Sequence, residues 1–138
     1  MFWKRIIGAT VLASSLTACG VGGNIGPAHV DTHLYHLVAA GHYRRAARHI
    51  DFTPPVTRRI LPSADPKKSN ALLVFVLTEM RGIFRKRGGL QRVIVLSRSV
   101  HGDRAHVKVR IDFGNGRTRV SNDAMVRKNG RWFVVMRL

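Results

Sequence analysis

The chain has 138 residues, enough for one domain with a core of its own. It carries 24 Lys and Arg against 7 Asp and Glu, a formal charge of +17. That charge favours anionic partners such as lipid headgroups, lipopolysaccharide phosphates, nucleic acid or acidic proteins, and a single cysteine excludes an intrachain disulfide or a metal site built from several cysteines.

Residues 1–20 read as a targeting segment. Lys4 and Arg5 form a basic start, and residues 6–16 form an apolar run too short to span a bilayer comfortably. Leu16-Thr17-Ala18-Cys19 comes next. It resembles the bacterial lipobox, in which a leucine and two small residues precede the cysteine that is acylated on sulfur before cleavage. The sole cysteine stands where that chemistry needs a thiol. The resemblance implies a signal peptide over residues 1–18, a palmitate-type lipid on Cys19 and membrane attachment in a bacterial envelope. Several acyl chains anchor stably where one alone is marginal. Gly20 stands where aspartate would retain an enterobacterial lipoprotein in the inner membrane. By that resemblance the chain is expected in the outer membrane, facing the periplasm. Residues 19–30 form a glycine-rich tether, and a coil of about ten residues spans roughly 15–20 Å.

Residues 31–138 are expected to form one α+β domain. Asp31 or Thr32 caps a first helix with Leu34, Leu37 and Val38 as its apolar stripe. Gly41 breaks it, and a second helix runs over residues 43–50. Residues 40–46 resemble half of a tetratricopeptide unit, but no second copy recurs at a fixed period, which argues against a solenoid. Residues 51–68 hold Pro54, Pro55, Pro62 and Pro66 and read as a loop with one short turn at 56–61. Ser69 caps the main helix. Its stripe is Leu73, Val76, Leu77, Met80, Ile83 and Phe84, at helical spacing. Arg85, Lys86 and Arg87 suit the negative end of the helix dipole, and Gly88 is the expected stop.

Four strands follow. The first, residues 91–100, is apolar on both faces and is expected inside the sheet or under a helix. In the second, Ala105, Val107, Val109, Ile111 and Phe113 alternate with polar residues, as in a strand buried on one face. Asn115-Gly116 favours a two-residue turn. That turn pairs Ile111 with Val120 and Val109 with Asn122 inside, and Asp112 with Arg119 and Lys108 with Asp123 outside. A three-residue loop would pair Ile111 with Arg119 and carry an arginine toward the core, so the shorter turn is preferred. At Lys128-Asn129-Gly130 a three-residue loop is preferred, because it puts Trp132 on the buried face with Val126 and Ala124.

These runs carry a further resemblance. Gly88-Gly89-Leu90-Gln91-Arg92-Val93, Gly102-Asp103-Arg104-Ala105-His106-Val107-Lys108-Val109, Phe113-Gly114-Asn115-Gly116 and Met125-Val126-Arg127-Lys128-Asn129-Gly130-Arg131-Trp132 together resemble a family of small bacterial lipoproteins. Their domain, of no assigned activity, has a nuclear-transport-factor-like (cystatin-like) fold. The resemblance covers roughly residues 32–138. It implies helices packed on a curved four-stranded antiparallel sheet, and it carries no catalytic residues across.

Three constellations compete for a function. His29, His33 and His36 have helical spacing, but no acidic residue or cysteine obviously converges with them, so no metal and no cofactor is assigned. A ketosteroid-isomerase-like enzyme needs a carboxylate and a proton donor inside the cone. The predicted inward residues of the middle hairpin include only Thr118 and Asn122 as polar groups, with Asp112 and Asp123 pointing out, so no catalytic residue is assigned. The third constellation is basic. Lys108, Arg110, Arg117 and Arg119 fall on one predicted outer face, a candidate contact for anionic lipid or envelope polymer. Nucleic acid is disfavoured, because that face has few aromatics to stack on bases. The reading is a lipid-anchored envelope protein with a non-enzymatic binding domain, whose ligand or protein partner the sequence leaves open. The alternative is a periplasmic polyanion binder, and a cone-pocket enzyme is the remote third.

Overall fold

A computed structural model describes residues 25–52 and 66–136. The expected targeting segment, the expected lipobox with Cys19, most of the expected tether and the turn expected at 56–61 lie outside the described residues. The elements are α1 (Pro27–Ala39), α2 (Tyr43–Ala47), β1 (Ile50–Asp51), α3 (Pro66–Lys86), β2 (Leu90–His101), β3 (Arg104–Phe113), β4 (Thr118–Lys128) and β5 (Arg131–Val135). They make one sheet in the order β1-β5-β4-β3-β2, antiparallel except for the parallel pair β1 and β5. The class is α+β as expected, but the sheet has five strands rather than four. The extra strand comes from the end of the expected second helix. After α2 the chain straightens, and Val134 N–H donates to the His49 carbonyl at 2.8 Å.

The helices cover one face of the sheet. Leu34, Leu37 and Val38 of α1 and Leu73, Leu77 and Phe84 of α3 are buried against Val107, Val109, Ile111, Phe113, Met125, Trp132 and Val134. α1 starts earlier than expected. Gly26 is its N-cap and Pro27 opens it, where a missing N–H costs nothing. Asp31 is therefore not a cap. It joins Leu34, Tyr35 and Val38 on the buried stripe and is itself buried. Ser69 likewise lies inside α3, not at its cap.

The end of α3 follows expectation. Gly88 has φ +84°, its N–H reaches the Arg85 carbonyl at 3.1 Å, and Gly89 N–H reaches Phe84 at 2.8 Å. This is the Schellman arrangement that satisfies the last carbonyls of a helix. The tip of the β3–β4 hairpin docks on it. Gly114 N–H donates to the Gly89 carbonyl and Asn115 N–H to the Arg87 carbonyl, both at 3.0 Å. A Cβ on Gly88 would sit 2.8 Å from the Asn115 nitrogen, so this approach needs glycine.

Three strand expectations are corrected. β2 is an edge strand and not a central one, although α1 lies against its inner side as the other alternative had it; Val95 and Val100, opposite the buried Val109 and Ala105, are exposed even on that side, as is Leu96. Register shifts between Leu90 and Arg92 and between Val95 and Ser97 bend the strand, a feature that discourages edge-to-edge pairing. The β3–β4 connection is a three-residue loop. Phe113 N–H donates to the Arg117 carbonyl, Gly116 has φ +81°, and Ile111 lies opposite Arg119, Asp112 opposite Thr118 and Lys108 opposite Asn122. The β4–β5 connection is the shorter one. Asn129 and Gly130 both have positive φ, the type I′ requirement, and Lys128 faces Arg131. Both turn lengths are thus the reverse of expectation, and they share one cause. β4 turns the opposite face inward.

Candidate functional site: the polar strand inside the cone

The inward face of β4 is Arg119, Ser121, Asp123 and Met125, opposite Ile111, Val109, Val107 and Ala105 of β3. Val120, expected inside, is 52% exposed. A strand paired to a fully apolar neighbour thus presents mostly polar side chains to the helices. α1 supplies their partners. Tyr35 Oη donates to Asp123 Oδ2 at 2.8 Å, and Ser121 Oγ donates to Asp123 Oδ1 at 2.6 Å. Asp31 lies one helical turn before Tyr35, and its Oδ2 is buried with no hydrogen-bond partner among the described residues. Burial, with the Asp123 charge beside it, pushes the Asp31 carboxyl up to about 8, so it is protonated at neutral pH. Burial and the same Asp123 charge raise the Tyr35 hydroxyl. The two carboxyls therefore sit in opposite roles. Asp123 accepts from both hydroxyls and, through a side-chain hydrogen bond, from the protonated Asp31.

A pocket of about 220 Å³ opens beside this network. Tyr35 and Ser121 line its polar side. Met80, Ile83 and Phe84 of α3 and Ile111 and Phe113 of β3 make its apolar walls. The Phe84 and Phe113 rings are tilted, with centroids 5.8 Å apart. Arg87 and Arg119 complete the lining. The Arg87 guanidinium lies 5.1 Å above the Phe113 ring centroid, a cation–π contact that fixes its position. Among the described residues no carboxylate pairs with Arg87 or Arg119.

The four basic residues read as one outer face are not brought together. Lys108 and Arg110 lie on the outer face, and Arg119 lines the concave pocket. Arg117 belongs to the hairpin loop, its N–H bonded to Asn115 Oδ1 at 3.0 Å. Arg110 is also partly neutralised. Asp112 takes Arg92 Nε at 2.6 Å and Arg110 Nε at 2.9 Å, and those two hydrogen bonds, Arg92 first, hold its carboxyl below the usual range. His29 stacks on His33, and His33 meets His49 edge-on with centroids 5.4 Å apart. No cluster among the described residues has a geometry that could hold a metal ion.

Asp31, Tyr35, Ser121 and Asp123 were not assigned to a site from sequence. One signal was available: Asp31 occupies a stripe position, three, four and seven residues before Leu34, Tyr35 and Val38.

No family model and no curated protein matches the chain. Among solved structures it resembles a Campylobacter jejuni protein called a "Putative NTF2-like transpeptidase", with a TM-score of 0.67 and 17% identity over 82% of this chain and 100% of that one. A SEC-C motif containing protein from Rhodopseudomonas palustris aligns with a TM-score of 0.48 and 18% identity, over 80% of this chain and 75% of that one. The first likeness shows an NTF2-like fold.

Proposed function

We propose that this chain is a lipid-anchored bacterial envelope protein whose NTF2-like domain binds a small molecule in the concave pocket. One observation carries the binding half: β4 turns Ser121 and Asp123 toward the helices, with the exposed Arg119 at the pocket rim, where an apolar core alone would be more stable. Polar groups kept inside at that cost fit a site better than a scaffold. The anchoring half rests on Leu16-Thr17-Ala18-Cys19 and on Cys19 being the sole cysteine. Anionic lipid or envelope polymer is a weaker candidate partner, because the four basic residues expected to meet it do not share a face. Native mass spectrometry of the full chain, extracted from membranes in detergent, tests the binding half. A co-purifying small molecule is expected on the wild type and absent from Ser121→Phe, which fills the pocket. The same adduct on both variants would rule the pocket out.

A second reading is enzymatic, and the Ser121–Asp123 bond favours it. Acyl transfer of the kind the Campylobacter neighbour is named for would use Ser121 as nucleophile and Asp123, which already accepts its proton, as base. A fluorophosphonate probe should then label the wild type and not Ser121→Ala. Equal labelling, or none, leaves the binding module standing.

A further inference from the structure

We infer that the pocket takes a small amphipathic anion: one ring or short alkyl chain carrying an oxyanion and a separate hydrogen-bond donor. The inference rests on the pocket being a binding site, and it deepens that reading by naming the ligand class. Three features of the lining lead to it.

The first is size. A cavity of about 150 Å³ lined by aliphatic and aromatic side chains accepts benzene. This pocket, about 220 Å³, is large enough for one such body carrying two polar groups. Its apolar walls, Met80, Ile83, Phe84, Ile111 and Phe113, want that body to be hydrocarbon.

The second is charge. Arg87 and Arg119 both line the pocket, and no carboxylate among the described residues pairs with either. Three other arginines of the sheet are paired. Arg92 and Arg110 share Asp112, and Arg127 is bridged to Asp103 at 3.0 Å. Two guanidiniums left unpaired at one apolar pocket are suited to a carboxylate or phosphate, which can accept two parallel hydrogen bonds from each fork.

The third is the direction of the hydroxyl protons. Tyr35 and Ser121 each have one, and both are spent on Asp123, at 2.8 and 2.6 Å. What the two hydroxyls present to the pocket is lone pairs. The ligand group that meets them must therefore donate. An acceptor there, such as an ether or a second carboxylate, would face only oxygen lone pairs.

Titration calorimetry of the full chain in detergent, with three probes, tests the inference. para-Hydroxyphenylacetate has both groups, phenylacetate lacks the donor, and tyrosol lacks the anion. The complete probe should bind about tenfold more tightly than either truncated one, since a charge-assisted bond and a buried unpaired hydroxyl are each worth at least that ratio. Arg119→Gln should weaken the complete probe several-fold, and more than it weakens tyrosol, with circular dichroism native. Tyrosol equalling the complete probe, indifference to Arg119→Gln, or no binding by any probe would overturn the ligand class. Ser121→Phe separates the two failures. If it weakens tyrosol binding, the pocket stands and only the class falls; if it changes none of the bindings, both fall.

Discussion

Asp31 shows how a single side chain can set the pH response of the fold. Its carboxyl is held up to about 8 in the folded chain, against 3.8 for an unburied aspartate, first by burial and then by the Asp123 charge. The folded state thus keeps a proton that the unfolded chain releases. Between those two values the folded state binds more protons, so stability falls as pH rises through the window and levels off above it. Asp31→Asn keeps the shape and removes the ionisation. Guanidinium unfolding should find the variant more stable than wild type at pH 8.5 by at least about 1 kcal/mol, the equivalent of one pKa unit, with the gap narrowing as pH falls and closing only below the unburied value of 3.8. A constant gap at all pH values would show that Asp31 does not titrate in this way. Tyr35 tests the other carboxyl. Tyr35→Phe removes the donor to Asp123 Oδ2 and should cost about 2 kcal/mol, the scale of a hydrogen bond to a charged group.

At the scale of elements, β4 separates what could be read from the sequence from what could not. The alternation in β3, the stripe of α3 and the stop at Gly88 are legible because burial and period agree there. β4 reads Thr-Arg-Val-Ser-Asn-Asp-Ala-Met-Val, and its more apolar face is Val120, Ala124 and Val126. Hydrophobicity puts that face inside. The fold puts it outside, because Ser121 and Asp123 have a hydroxyl partner waiting on α1 that no local pattern reveals. Asn-Gly fits both turn lengths, so neither hairpin could correct the choice. The edge position of β2 was hidden for a different reason: its apolar residues on both faces look like a central strand although half of them meet solvent. The hairpin tip supplies the prediction at this scale. Gly114→Ala would drive a Cβ into the Gly88 carbonyl, backbone that cannot give way, whereas a Cβ on Gly102 meets nothing within 4 Å. Gly114→Ala should therefore destabilise by about 2–4 kcal/mol. Gly102→Ala should cost about 1 kcal/mol, the strain of its positive φ alone. Equal melting temperatures for the two variants would mean that the tip does not dock on α3.

At the scale of the whole molecule, the proposed function assigns anchoring and binding to two parts of the chain. The proposed anchor rests on residues 16–19 alone, because acylation needs a short linear motif rather than a fold. Metabolic labelling with a tagged fatty acid should mark the wild type and not Cys19→Ser; equal labelling would end the lipoprotein reading. The pocket could not be read in that way, since it assembles Tyr35 from α1, Phe84 and Arg87 from the end of α3, and Arg119 and Ser121 from β4. A small part of the high charge of the chain has a local use. Arg92, Arg110, Arg127 and Lys128 pair with Asp112, Asp103 and Asp51, while Arg87 and Arg119 stay unpaired at the pocket among the described residues.

All of this depends on which face of β4 looks inward, and thiol labelling reads that face directly. In the full chain carrying Cys19→Ser, Val120→Cys and Ser121→Cys each supply the only thiol. Val120 is exposed on the outer face, and Ser121 lines the pocket against Tyr35 and Ile111. A bulky maleimide should modify Val120→Cys quickly in the folded protein and Ser121→Cys slowly, with the two rates converging in denaturant. Faster labelling of Ser121→Cys in the folded state would put Val120 inside, and the polar pocket would not exist.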